Sequence, residues 1–134
     1  TTDTRYTAFD DSNWREVTRI RLHHMMNNSA AFDVGLHAVI NASPGAVRAI
    51  GPLKNSTDFE DFQRAAIILD VDGNGWSDRF HQLTHFATPI LKQASNHTAF
   101  FEHLVAPGHA IETFANDLSD LEARGLQLLR DWQA

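Results

Sequence analysis

A chain of 134 residues, 43% of them hydrophobic, can bury one core of ordinary proportions, so residues 1–134 are read as a single domain. A formal net charge of −6, with Lys and Arg scattered along the chain, excludes a nucleic-acid-binding face built from clustered basic residues. No run reaches the roughly 18 apolar residues of a membrane-spanning helix, and the absence of Cys removes disulfides, thiolate nucleophiles and Cys-based metal sites together.

Trp14, Val17, Leu22 and Met25 recur at helical spacing and predict an amphipathic helix over residues 13–27. Phe32 to Ile40 alternates apolar and polar residues, the pattern of a strand, and ends in a turn over residues 41–45 before a further short strand. Thr57 with Glu60 forms a capping-box pattern in front of a brief helix carrying Phe59 and Phe62. The run Ala65 to Val71 is apolar on both faces, which suits a central parallel strand covered by helices. Beyond it a helix is expected through Trp76, Phe80, Leu83 and Ala87, a strand over residues 88–92, and a helix through Phe100, Phe101 and Leu104 that Pro107 and Gly108 end. A last strand over residues 109–114 leads to a helix capped by Ser119 and Glu122, with the stripe Leu118, Leu121, Gly125, Leu128 and Trp132. Alternation of strand and helix with short connections predicts a doubly wound α/β domain with a mainly parallel sheet, whose ligand sits at the carboxyl ends of the strands.

The richest loop in that position runs from Asp70 to Phe80, after the apolar strand and before a helix. Asp70, Asp72, Asn74, Gly75 and Asp78 fall at EF-hand positions 1, 3, 5, 6 and 9, but position 12 is His81 where a bidentate Glu is required and the entering element is a strand. Asp70 and Asp72 also match the short D-x-D pattern that holds a divalent ion against a sugar-nucleotide diphosphate. A third reading takes Gly73-Asn74-Gly75 as a turn whose backbone N–H groups face a diphosphate at a helix start, with Arg79 one turn into the helix as a permanent cation.

The stretch Val71 to Phe80 resembles the segment of glycosyltransferase family 90, fungal capsule-associated proteins and animal protein O-glucosyltransferases among them, in which a strand ends in an acidic-Gly turn and a Ser-x-Arg-(Phe/Leu) helix start. Similarity continues through residues 89–93, Phe100-Phe101, Leu104, Pro107, His109 and residues 116–121. Upstream it includes Trp14-Arg15, Arg19-Ile20-Arg21-Leu22 and Asp33-Val34-Gly35, nearly the whole chain. Two stretches depart from the family pattern: residues 96–99, where many members carry an acidic residue, and residues 109–114, where members often read His-Tyr-x-Pro-Val.

The resemblance implies the Rossmann-like, C-terminal donor-binding lobe of a two-lobed GT-B glycosyltransferase, a part of a longer enzyme that transfers glucose or xylose from a uridine-diphosphate donor with inversion and with neither metal nor cofactor. Carried over by residue, donor binding falls to Arg19, Asp72, Gly73, Asn74, Gly75, Trp76, Ser77 and Arg79, with Arg21 as the fallback for Arg19. The general base belongs to the other lobe, so this portion alone is not expected to catalyse transfer. A protein or glycan acceptor, a place in the lumen of the secretory pathway and an upstream membrane anchor are implied in the same way. The alternative is a non-catalytic α/β binding module or a degenerate remnant of the family, with a calcium-binding loop protein behind both.

Simpler roles fit several of these residues. Trp76, Phe80, Phe100, Phe101 and Trp132 at helical spacing predict core packing, with Trp76 the exception as a stacking platform. His pairs at i,i+4, such as His81 and His85, predict solvated or core histidines before a zinc site. Asp117 and Asp120 suit a helix start, and Lys92 suits a surface Lys lying along apolar neighbours. Four N-x-S/T sequons stand at Asn27, Asn41, Asn55 and Asn96, the second followed by Pro44.

Overall fold

The computed structural model describes residues 9–73, 75–105 and 111–133. Its contacts divide the chain into two compact units, Thr1–Ser56 and Thr57–Ala134.

In the first unit a 3-10 turn, Trp14–Glu16, leads into helix α1, Thr18–Met26, and a second helix, α2, spans Pro44–Ile50. Phe9, Trp14, Val17, Ile20, Leu36, Ala46 and Ile50 form its core, with Val39 and Ala42 packed against it. Ile20 and Ile50 are fully buried, and removing each such side chain from water stabilises the fold by about 1.5–3 kcal/mol. The break between turn and helix resets the phase of the apolar face. Met25, expected inside, is 50% exposed, and Ile20, His23 and Met26 point inward instead.

The strand expected over residues 32–40 is replaced by a stretch that joins no ladder among the described residues. Burial alternates along it up to Leu36, so the period was legible, but its backbone groups find other partners: Leu36 N–H donates to His23 Nδ1 at 3.2 Å, and Lys54 N–H donates to the Leu36 carbonyl at 2.8 Å. The short strand expected after residue 45 is α2. Ser43 caps it by accepting the Ala46 N–H at 3.0 Å, and Pro44 occupies the first turn, where its missing N–H is no loss. Gly51 ends it at φ +96°, a backbone conformation that favours glycine.

The second unit holds a three-stranded parallel sheet of order β1-β2-β3: β1 Ile68–Asp70, β2 Ile90–Ala94 and β3 Ile111–Ala115. Ile68 pairs with Ile90 and Asp70 with Lys92; Ile90 pairs with Ile111 and Ala94 with Ala115. This is a small α/β arrangement compatible with a Rossmann-like fold. β1 stands at the edge of the described sheet, not at its centre as the apolar run suggested. β2 is central, and four of its five residues are buried.

The helical elements are shorter than the periodicity predicted. Helix α3 is Phe80–Leu83, and the segments around Phe59 and Phe100 are 3-10 turns, Phe59–Arg64 and Glu102–Leu104. Asp58, not Thr57, precedes the first of these turns, and no side chain caps it. Ile68, Phe80, Leu83 and Ile90 form the core of this unit, with Phe59, Phe62, Phe86, Phe101 and Ile111 against it. Helix α4, Leu121–Gln133, packs on β3 through Leu121 and Gly125, while Trp132 is 54% exposed. Asp120 rather than Ser119 precedes α4, and its carboxylate reaches back to accept the Ala115 N–H at 2.6 Å. That clip closes a turn in which buried Leu118 takes φ +67°, a conformation costing roughly 1–2 kcal/mol that burial of the side chain offsets.

His23 supplies a pH signature. Its ring is buried, and Nδ1, as acceptor of the Leu36 N–H, must be unprotonated. Burial pushes its pKa down, against the pull of the Pro52 carbonyl, and Lys54 and His24 push it the same way as burial. A depressed folded pKa gives stability that is present above the ordinary histidine value of about 6.5 and lost as pH falls through the folded value. Thermal unfolding of the whole chain should therefore weaken more steeply from about pH 7 to 5 in wild type than in His23→Gln, which keeps an acceptor without the titration. Parallel curves would contradict this role.

Candidate functional site

The carboxyl ends of β1, β2 and β3 carry a buried polar network. Asp70, the last residue of β1, is completely buried, and its Oδ1 accepts the Ser77 hydroxyl at 2.5 Å. That bond clasps the loop back onto the strand it leaves. Asp70 Oδ2 is buried without a hydrogen-bond partner among the described residues. Two residues on, Asp72 is held twice: its N–H donates to Gln93 Oε1 at 3.1 Å, and its Oδ2 accepts the Ser95 hydroxyl. Gln93 in turn donates from Nε2 to the carbonyl of Asn116 at 3.1 Å and to Asn116 Oδ1 at 2.7 Å. One buried amide therefore links the ends of all three strands.

Lys92 adds a buried cation to this edge. It is 6% exposed, its Nζ lies 3.3 Å from Glu102 Oε1 and 5.2 Å from the centre of the Phe80 ring, and it pairs across the sheet with Asp70. The surface Lys expected from sequence is thus an interior ion pair. The Glu102 oxygen also accepts the Ala99 N–H at 2.9 Å, which fixes the carboxylate where the ammonium meets it. Burial pushes the Asp70 carboxyl above the usual carboxylate range; the Ser77 hydroxyl, Lys92 and Arg79 pull it down, and Asp72 adds to the rise.

Asp72, Gly73, Gly75, Trp76, Ser77 and Arg79 follow β1 in one segment of the second unit; Asn74 lies outside the described residues. Arg19 stands half-buried on α1 of the first unit. Ser77 is 3% exposed and its hydroxyl is committed to Asp70, so it can offer a ligand only its backbone. Arg79 precedes α3 instead of standing one turn inside it, and its guanidinium carbon lies 5.7 Å from the Phe62 ring centre. Trp76 is 53% exposed, and nothing lies within 4 Å of where a Cβ on Gly75 would be. The loop therefore presents an open backbone stretch beside an exposed indole. Because α3 is only four residues long, its macrodipole is small, and an anion here would be held by loop N–H groups and Arg79.

Of the other aromatics expected inside, Phe80 is buried and stacks on Phe101 with ring centres 5.8 Å apart, whereas Phe100 is 90% exposed. His81 and His85 meet edge to face at 5.1 Å, and no group of three or more His, Asp or Glu side chains suited to a metal ion gathers among the described residues. No helix among the described residues is long and apolar enough to cross a membrane. No role for Gln93, Ser95, Asn116 or Glu102 was legible in the sequence, since each matters through a partner distant in sequence or on another strand or turn. No family model, curated protein or solved structure matches the chain.

The Asp70–Ser77 clasp can be tested by equilibrium denaturation. Ser77→Ala leaves a buried carboxylate with neither oxygen bonded and should cost about 1–3 kcal/mol. Asp70→Asn keeps an acceptor for Ser77 and removes the charge. Because the folded pKa of Asp70 is raised, its contribution is present below the ordinary value of about 3.9 and lost as pH rises through the folded value. The Asn variant should consequently gain stability over wild type as pH climbs from the acid range to neutrality. A Ser77→Ala variant as stable as wild type would remove the clasp from the account.

Proposed function

We propose that the chain is the donor-binding lobe of an inverting, metal-independent glycosyltransferase that takes UDP-glucose or UDP-xylose and acts on a protein or polysaccharide in the secretory pathway. The observation that carries this reading is the position of the segment that holds Gly75 and the exposed Trp76: it follows the carboxyl end of a strand in a parallel sheet, where α/β folds bind their ligands. A doubly wound GT-B lobe is part of the same proposal, as is membership of family 90.

On this reading the N–H groups around Gly73 to Ser77 donate to the diphosphate oxygens, Arg79 adds a fixed cation, and the exposed Trp76 indole offers a face for the uracil or the sugar. When the acceptor oxygen attacks C1 of the sugar, the bond from C1 to the diphosphate oxygen breaks and its electron pair goes to the diphosphate. Donors already aimed at those oxygens stabilise the charge as it develops. The acceptor's proton goes to a base on the other lobe, so transfer belongs to the longer enzyme.

A second reading, a non-catalytic module or remnant of the family, is favoured by the pairing of Lys92 with Glu102 and of the Ser77 hydroxyl with Asp70, which commits the Lys92 ammonium and the Ser77 hydroxyl internally. Titration calorimetry with uridine diphosphate separates the two. A donor lobe binds UDP without calcium or any other added metal, and Arg79→Ala weakens that binding about tenfold or more, or about 1.4 kcal/mol. Binding that requires calcium would replace the proposal with a calcium loop, and no binding to the folded chain would favour the non-catalytic module.

A further inference from the structure

Among the described residues Lys92 is the only Lys or Arg that is buried. Burying an ammonium is costly unless opposite charge compensates it, so its surroundings show what it is held for. Lys92 stands on the central strand in register with Asp70, where the 71–79 loop begins, and paired residues of a parallel ladder present their side chains to the same face of the sheet. Its Nζ lies 5.2 Å from the ring centre of Phe80, where that loop ends and α3 starts. A third neighbour, Glu102 in the turn after β2, brings Oε1 to 3.3 Å, and the Ala99 N–H donates to the same oxygen at 2.9 Å.

The ammonium is thus held from the side of β2 and faces both ends of the loop that follows β1. Its charge bears on Asp70 directly. Attraction to Lys92 and to Arg79 opposes the rise that burial imposes on the Asp70 carboxyl, while Asp72 adds to that rise. Without Lys92, Arg79 is the compensating charge that remains, and it would have two anions to serve: Asp70 and the diphosphate.

We propose that Lys92 is the positioning residue of the ligand-binding loop: fixed by Glu102, its charge balances the Asp70 carboxylate, keeps the Ser77 clasp and the start of α3 in place, and leaves Arg79 to the ligand. Lys92 acts through Asp70 and touches no ligand atom. The inference rests on the donor-binding reading of this loop and names the residue that sets the loop's shape and charge. It has a consequence that neither a packing role nor a direct ligand contact shares. Removing the Asp70 charge repairs the loss of Lys92, whereas it restores neither buried contacts nor a bond to the diphosphate.

The test compares K92M, D70N and the double variant of the whole chain with wild type. Each is read without ligand, by the amide shifts of Gly75, Trp76 and Ser77 and by the denaturation midpoint, and then by calorimetric titration with uridine diphosphate. K92M should shift the loop amides, lower the midpoint and weaken UDP binding about tenfold or more. In the double variant all three should return toward the D70N values. A K92M chain that fails to fold beside a double variant that folds would support the inference equally. A double variant as impaired as K92M, in folding, loop shifts or affinity, would overturn it, as would a K92M chain with the loop shifts and affinity of wild type. If UDP does not bind wild type, the donor reading falls by itself, and the ligand-free shifts with their reversal by D70N still decide whether Lys92 positions the loop.

Discussion

A carboxylate buried at the end of a parallel strand is the constraint around which the second unit is organised. Asp70 has no exposed surface, and an ionised carboxylate in such a place costs several kcal/mol unless neighbouring dipoles and charges compensate. Ser77 provides the dipole directly, while Lys92 and Arg79 provide opposite charge. Satisfying Asp70 requires the chain to double back within seven residues, so the path of the 71–77 loop is a consequence of that burial. The loop needs no regular structure of its own, because its two ends are fixed to the same edge of the sheet.

The same edge is tied laterally by Gln93, which accepts from the Asp72 backbone and donates to Asn116. With both ends of its amide engaged it is a fully satisfied buried polar group, the condition under which such groups rigidify a site. The rigid frame contrasts with what it holds out: Gly75 beneath open space and the half-exposed indole of Trp76. A frame tied across three strands by the Gln93 amide, and a loop that holds out Gly75 and an exposed indole, are the two parts that binding an anionic ligand at a sheet edge requires.

The positions of β1 and β2 were legible, because runs such as Ile67-Ile68-Leu69 and Ile90-Leu91 announce buried parallel strands through composition alone, whereas their order in the sheet was not. The helices were over-read. Aromatics at residues 76, 80, 100 and 101 fit a 3.6 period, but only Phe80 and Leu83 are buried in α3, and the rest of that pattern lies in turns. At residues 32–40 the period-2 signal was present without a ladder, since His23 and Lys54 serve the backbone there. Ser43-Pro44 is a helix-start signal, cap followed by Pro, and it outweighs the strand pattern there. In the candidate site the loop residues could be named from their order after β1, whereas the partners that hold them, Gln93, Ser95, Asn116 and Glu102, are distant in sequence and acquire meaning only through the fold.

Amide mapping by heteronuclear NMR tests the central claim most directly: the carboxyl edge of the β1-β2-β3 sheet, through its 71–79 loop, is the ligand-binding face. On adding uridine diphosphate to the isotopically labelled chain, the account expects the largest shifts at the amides of Gly73, Gly75, Trp76 and Ser77 and at the Trp76 indole, with α4 unmoved. Shifts centred elsewhere in the chain, or a spectrum unchanged at saturating ligand, would contradict it.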